Sequence, residues 1–415
     1  MKSADTSVAA GNASSSPRAQ SALSWDSFLA TYLPALILAL GAGIALPAIP
    51  TLAQSFGVGF GVASGVITSF LLGNLAGTLP SGWLIDRYGR RPVMIAGPAL
   101  TAVTAILVVF TQSFTMLLVL RFFNGCAAQM WLMARLAAIS QNAPPAQRGR
   151  LVSWMFGMDN TGKLGGPVLG GFIAAAWGPR APFVAYAVLA LLSLAPALAF
   201  SRGEAHEERP APAKDAAAPT LTLRQIVMPR LPYFGVALFA GLTRGPLLAD
   251  LLHLYAAFAY NLGPRAIGYL ATAATALSWP IGFLAGWMMD RFGRKQTMVP
   301  GFTGVGISMA ALAASAYLQW SLTWYVALFM LGVALQALTG GSIQTVGADV
   351  APPEARGRFL GLWRFTGQGG ATVSPILFAV LADHVDYGSA FLFVALSSVV
   401  VAYLLVRYIP ETGRH

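Results

Sequence analysis

Apolar residues run along this chain in long blocks separated by short polar stretches. Twelve blocks are long enough to cross a bilayer as helices, which takes about 20 residues each. The first six are Phe28–Pro50, Val62–Ile85, Pro92–Phe110, Phe114–Ala138, Leu151–Trp177 and Pro182–Phe200. The second six are Pro232–Tyr260, Ala266–Met289, Met298–Leu318, Leu322–Val346, Phe359–Leu381 and Ala390–Tyr408. Internal prolines such as Pro167, Pro280 and Pro375 are compatible with this assignment, because neighbouring helices can re-satisfy a freed carbonyl. Between the sets, Ser201 to Arg230 contains RGEAHEERPAPAKDAAAP, which is too charged and too rich in Pro and Ala to span. The expected division is a disordered cytoplasmic tail (1–24), a six-helix bundle (25–202), a cytoplasmic linker (203–230) and a second bundle (231–415). The expected fold is therefore an all-α integral membrane protein of two pseudo-symmetric six-helix bundles.

Composition agrees. Of the 415 residues, 56% are hydrophobic and only 10% charged, more apolar surface than a soluble domain could bury. The net charge of +11 does not form the clustered face that nucleic-acid binding requires. With the amino terminus in the cytoplasm, 19 of the 26 Lys and Arg fall on the cytoplasmic side, 18 in tails and loops and Arg407 at the inner end of the last span, and two, Arg180 and Arg265, fall outside. That bias predicts both termini inside. The first 24 residues carry no hydrophobic run. The first apolar block is too long for a signal-peptide core and lacks a basic approach, so no cleavage is expected. The single cysteine, Cys126, cannot form an internal disulfide.

Charge is concentrated in a repeated loop. GWLIDRYGRRP (Gly82–Pro92) returns as GWMMDRFGRKQ (Gly286–Gln296), 204 residues later. PPAQRGR (Pro144–Arg150) likewise returns as PPEARGR (Pro352–Arg358), and Pro167 matches Pro375 at an offset of 208 residues. Two parallel six-helix repeats describe a transporter that rocks about a central site.

From about Trp25 onward the chain resembles the major facilitator superfamily. The loop pattern G-x-x-x-D-R-x-G-R-R is filled by Gly82, Asp86, Arg87, Gly89, Arg90 and Arg91, and again by Gly286, Asp290, Arg291, Gly293, Arg294 and Lys295. In the fifth span, GKLGGPVLGG is similar to the G-x-x-x-G-P-x-x-G-G motif of drug:proton antiporters, matched at Gly162, Gly166, Pro167, Gly170 and Gly171. In the fourth, RFFNGCAA resembles that group's R-x-x-Q-G-x-x-A, with Arg121 and Gly125 in place and Asn124 where Gln is usual. The first span has no acid after Asp26, so proton coupling cannot be carried over to it. The ending IPETGR resembles a sugar-porter segment, but its companion after the sixth span is absent.

The resemblance implies that Asp86 pairs with the start of span 11, near Arg356 and Arg358, clamping the cytoplasmic side in one state and releasing it in the other. Asp86, Arg87, Arg90, Arg91, Asp290, Arg291, Arg294 and Lys295 are thus gating candidates. An acid at a helix C-terminus opposes the dipole and wants such a partner; a loop that only fixed topology would not need it. The glycines at 162, 166 and 170 form a smooth helix face. They serve either ordinary packing or, as the resemblance implies, the moving interface between halves.

Intramembrane charges are costly and usually functional. Candidates for the substrate or proton pathway are Arg121, Asn124, Asp159, Asn160, Lys163, Arg244, Asp250, His253, Gln336, Arg364 and Gln368. Asp159 and Lys163, four apart, share a face and read either as a neutralised structural pair or as a titrating pair in the cavity. Asp250 and His253 read as a second relay or as a polar patch at the outer mouth. Arg135 lies near enough to the inner surface to snorkel and reads as a positive-inside anchor. Trp154, Met155, Met158, Trp363 and Phe365 suit contacts with a lipophilic ligand, though packing in the core or against lipid is the commoner fate of any one of them.

The expected function is secondary active transport by alternating access: proton-coupled antiport exporting a small, partly lipophilic organic compound. Five intramembrane bases against two acids keep a second reading open, symport of an organic anion. A transport-inactive sensor or assembly partner is a third. No nucleophile–base set, metal cluster or phosphate loop points to an enzyme. No cofactor or metal is expected beyond the proton gradient, and the protein is expected to work as a monomer in a plasma membrane, of the bacterial inner type.

Overall fold

The computed structural model describes residues 25–142, 145–200, 223–248, 250–340, 342–352 and 355–409. The expected tail and most of the expected linker lie outside the described residues. Every regular element among the described residues is helical.

The helices form twelve spans. Spans 2 to 6 are Phe60–Tyr88, Arg90–Phe110, Phe114–Asn142, Pro145–Trp177 and Ala181–Phe200; spans 8 and 9 are Pro264–Phe292 and Arg294–Tyr317, and spans 11 and 12 are Arg356–His384 and Tyr387–Tyr408. The other three are interrupted. Span 1 is Trp25–Ala45 followed by Ala48–Gln54, span 7 is Leu231–Leu248 followed by Leu251–Ala259, and span 10 is Leu322–Ala337 followed by Ser342–Val350. Among the described residues, nine spans are both long and apolar enough to cross a membrane; the exceptions are spans 5, 6 and 10. Span 5 has the length but carries Asp159, Asn160 and Lys163 in its middle.

Spans 2 and 3, and likewise 8 and 9, are joined by one glycine each. Gly89 (φ 84°) and Gly293 (φ 98°) take a backbone conformation that side chains rarely adopt, which lets one long helix reverse directly into the next. Asp386 caps span 12, its carboxylate accepting from the Ser389 amide at 2.6 Å; that bond holds its pKa below the usual carboxylate value.

The packing repeats with the sequence. Span 1 lies on 5 and 6, span 2 on 4, and span 3 on 4 and 6; span 7 lies on 11 and 12, span 8 on 10, and span 9 on 10 and 12. Each pair in one half has its counterpart six spans later. The halves meet through spans 5 and 8 and through spans 2 and 11, again symmetry-related.

Glycines set the closest approaches. A Cβ at Gly162 would meet the Leu36 carbonyl at 2.7 Å, and one at Gly166 would meet Gly43 Cα at 2.7 Å. One at Gly170 would collide with the Ile44 carbonyl. The strip of spaced glycines in span 5 therefore packs on span 1 inside its own half, and the expectation that it lies at the moving interface is corrected. Pro167 and Gly171 face the other way: Gly171 meets Pro264 and Arg265, and the Pro167 carbonyl abuts Gly268, all on span 8.

Those contacts between halves belong to one end of the molecule, the end opposite the D-R-x-G-R loops. There the Gly61 amide donates to Asp383 Oδ1 at 3.0 Å and Gln54 Nε2 to the Ala257 carbonyl at 3.1 Å. Phe60 sits among Phe258, Phe378 and Tyr387, with ring centroids 5.9, 6.1 and 5.2 Å away. A Cβ at Gly82, Gly157, Gly282, Gly286, Gly357 or Gly361, toward the motif-loop end, would find no atom within 4 Å. The contacts between the halves set out above seal the distal end.

Candidate functional site

Between the halves lies a cavity of about 520 Å³, within the size range of small-molecule sites. Its polar wall is built from both halves: Arg121, Asn124, Asn160 and Lys163 from the first, Arg244, Asp250, His253 and Gln336 from the second. Eight of the eleven pathway candidates are thereby brought together. Asp159, Arg364 and Gln368 are not part of the wall; Arg364 and Gln368 are exposed on span 11.

Each polar group owes its place to its span. On span 4, Arg121 is buried, donates from Nη1 to Asn124 Oδ1 at 3.2 Å and lies over the Phe70 ring at 4.7 Å. Asn124 in turn donates to Thr104 Oγ1 at 3.4 Å. Lys163 is exposed on the cavity side of span 5. The Arg244 Nε on span 7 is buried without a hydrogen-bond partner among the described residues. Gln336, at the interruption of span 10, donates to Thr339 Oγ1 at 2.8 Å. Asp250 lies at the interruption of span 7 in the left-handed region, φ 61°, with its carboxylate 3.6 Å from His253 Nδ1. The three interrupted spans all line the cavity, and irregular backbone at membrane depth is tolerated in such a place.

The pairing of Asp159 corrects the sequence reading. It does not meet Lys163. Arg135 Nη1 and Nη2 donate to its two carboxylate oxygens, both at 2.9 Å. Arg135 is 3% exposed and lies over Trp131 at 5.1 Å, so it is no snorkelling anchor. It is a buried ligand of Asp159 joining spans 4 and 5. Among the described residues, Asp250 is the one carboxylate of the cavity wall, against the cations Arg121, Lys163 and Arg244.

The aromatics and methionines weighed as ligand contacts take the commoner course of packing elsewhere. Met155 and Trp363 are core residues, and Trp154 and Phe365 are exposed outside the cavity. Phe70, Tyr186 and Phe329 line it instead, with Leu46, Ile49, Ile67 and Val333. No motif singled these out, because an aromatic in a uniformly apolar helix looks the same whichever way it faces.

At the motif end the two repeated loops share one arrangement. Arg87 lies over Trp83 and Tyr88, and Arg291 over Trp287 and Phe292. Arg294 pairs with Asp349, and the Lys295 ammonium donates to the carbonyls of Val406 and Ile409 at 2.7 and 3.1 Å. These bonds tie the second loop to spans 10 and 12 of its own half.

The family model of the Major Facilitator Superfamily matches residues 32–258 and 234–415, nearly the whole described chain. The chain belongs to the major facilitator superfamily. This transporter is 25% identical over 359 residues to the tetracycline resistance protein, class B, of Escherichia coli, covering 84% of this chain and 86% of that one. Over shorter stretches it is similar to the chloramphenicol resistance protein CraA of Acinetobacter baumannii (31% over 158 residues, 37% of each chain). It is also similar to the multidrug export protein EmrB of Haemophilus influenzae (30% over 146 residues, 35% of this chain and 29% of that one). Among solved structures it shares its fold with a D-xylose-proton symporter (TM-score 0.72, 18% identity, 94% and 99% covered). A POT family transporter in complex with 5-aminolevulinic acid shares it too (TM-score 0.77, 11% identity, 93% and 96% covered). Members of this family are transporters and not enzymes. The chain is an integral membrane transport protein.

Proposed function

We propose that this transporter exports small, partly lipophilic organic compounds in exchange for protons, by alternating access, with its motif end in the cytoplasm. The observation that carries the reading is a cavity walled by both halves, apolar on most of its surface and sealed distally by contacts between the halves. Similarity to the tetracycline resistance protein along most of both chains supports export. The charge asymmetry of the loops supports the orientation, and Asp250 and His253 give the cavity groups able to take up a proton. The test uses proteoliposomes of the full chain with tetracycline and chloramphenicol as probes. In vesicles whose motif ends face outward, an acidic lumen is expected to drive their accumulation. A cysteine at Ser321, in place of Cys126, is expected to react only from the lumen of the same vesicles and so fixes the orientation. Absence of gradient-driven uptake across a broader compound panel rejects the reading.

A second reading, symport of an organic anion, is favoured by one observation: Arg121, Lys163 and Arg244 outnumber the single carboxylate Asp250 in the cavity wall. An anion there raises the proton affinity of its neighbours, so anion and proton travel together. Adding a transported compound to lightly buffered protein separates the readings, since antiport predicts proton release and symport predicts uptake.

In the alternate state the motif end closes, and Asp86 engages the start of span 11 near Arg356 and Arg358. Asp86→Asn is expected to leave expression near normal and to lower transport by about tenfold or more, a loss typical of broken coupling between sites. Unchanged transport by folded Asp86→Asn protein removes the gating role.

A further inference from the structure

Span 7 crosses the cavity in two pieces, and the second piece is the distal seal. Leu251 to Ala257 are all buried. The Ala257 carbonyl accepts from Gln54 on span 1, Phe258 meets Phe60 on span 2, and the Leu252 carbonyl accepts from the Tyr325 hydroxyl at 2.7 Å. The seal cannot open unless this half-helix moves, and its pivot is the interruption that precedes it.

Asp250 sits at that interruption in a left-handed backbone conformation, which among residues other than glycine Asp and Asn adopt most readily. It occupies the N-cap position of the half-helix, yet its side chain makes no capping bond. The carboxylate instead stands 3.6 Å from His253 Nδ1, too far for a hydrogen bond. His253 is 6% exposed, packs edge-on against Phe329, and has no hydrogen bond to either ring nitrogen among the described residues. An imidazole buried without partners is an expensive arrangement. Here it comes with an under-used carboxylate one turn away, on the hinge of the seal.

We propose that Asp250 and His253 form the proton-carrying site and that its occupancy sets the distal seal. The proposal rests on the reading of proton-coupled exchange. When the distal side opens, His253 Nδ1 takes one proton from outside water and becomes an imidazolium that donates to Asp250 Oδ1. A charge-assisted bond of this kind closes to about 2.7–2.9 Å, which draws Asp250 out of its present position and shifts the hinge with it. When the motif end opens, the proton returns to water on the other side and the pair relaxes to the separation seen here. The proton therefore binds more tightly with the distal side open, and by linkage its binding favours that state.

Other titratable groups set the background. Arg244 lies on the same span, while Arg121, whose field interacts with Asp250, and Lys163 face the pair across the cavity. Tyr186 stands beside Arg121. Tyr255, on the half-helix itself, packs against Tyr325 of span 10, and Arg265 lies at the start of span 8. The distal pieces of spans 1 and 2 that pack on it bring no titratable side chain. Asp159 is committed to Arg135.

The test needs no substrate. In a Cys126→Ala background, Ala257→Cys places a thiol at a position that is 0% exposed here. Its rate of labelling by N-ethylmaleimide in purified full-length protein reports distal opening. A Ser321→Cys protein, exposed in a distal loop, corrects for titration of the thiol itself. Between about pH 8 and pH 5.5, the range in which histidine changes charge, the corrected rate is expected to rise about tenfold. His253→Gln and Asp250→Asn are each expected to make it flat. Asn tolerates left-handed backbone, so Asp250→Asn carries the test if His253→Gln does not fold. A rise that survives both replacements overturns the site and leaves proton coupling standing. A flat profile in the parent overturns the proposal, while gradient-driven uptake in proteoliposomes decides separately on the coupling it rests on.

Discussion

Gly170→Ala is expected to remove most of the folded protein, whereas Gly165→Ala, on the same helix, is expected to behave like the parent. At Gly170 an added Cβ would collide with the carbonyl of Ile44, and the next nearest atoms, Ile44 C and Cα at 2.6 and 2.8 Å, are also backbone. No rotamer change can relieve this, so spans 1 and 5 must part along their length and lose the contacts at Gly162 and Gly166 as well. Overpacking costs about 1–3 kcal/mol where side chains can adjust and more where they cannot; this site belongs to the second kind. At Gly165 nothing lies within 4 Å of the Cβ position, and alanine favours a helix over glycine by about 0.5–1 kcal/mol. Recovery of monodisperse protein after graded heating in detergent compares the two. Equal recovery would mean that spans 1 and 5 do not approach as closely as described.

That pair of glycines also marks what the sequence could and could not convey. Twelve spans, their order and the glycine turns at 89 and 293 were readable because bilayer thickness dictates length, and a one-residue reversal requires positive φ. The interruptions in spans 1, 7 and 10 were not readable. Each lies inside an apolar block, where the hydropathy that announces a span is indifferent to a change of backbone direction. The helical strip at 162, 166 and 170 announced a close neighbour but could not name it. Spans 1 and 8 both pack on span 5, and only the structure assigns the strip to span 1 and Pro167 with Gly171 to span 8.

The cavity was legible through its cost. A polar residue deep in an apolar helix demands a reason, and Arg121, Asn124, Asn160, Lys163, Arg244, Asp250, His253 and Gln336 all share one cavity wall. What failed was partner assignment. Asp159 and Lys163, four residues apart, satisfied the helical rule for neighbours, but a local spacing rule cannot see a competitor on another helix. Arg135 reaches Asp159 from span 4 with two parallel bonds, which a lysine on the same helix could not match. The same reach explains why Arg135 was misread: its distance from the surface permitted snorkelling, and the acid that draws it inward lies 24 residues away in sequence.

Replacing Arg135 by methionine is expected to be among the most damaging single changes in the first half. It leaves the Asp159 carboxylate without its counter-charge and both its oxygens without donors. Breaking a buried ion pair from one side costs about 3–5 kcal/mol. The loss here belongs toward the lower end of that range, because the Asp159 side chain keeps 19% exposure. Asp159→Leu should be comparably harmful, since it strands a guanidinium that is 3% exposed. The double replacement Arg135→Met with Asp159→Leu removes both charges and leaves apolar side chains between spans 4 and 5, and such exchanges are often neutral or stabilising. A double-mutant cycle on heat stability in detergent is therefore expected to show strong coupling, with the double variant near the parent. Additive losses would mean the two residues do not depend on each other. Transport by the double variant then decides what the pair is for. A strut between spans 4 and 5 can be apolar and still let the halves rock, whereas a pair that must open during the cycle cannot be replaced by a contact that never breaks.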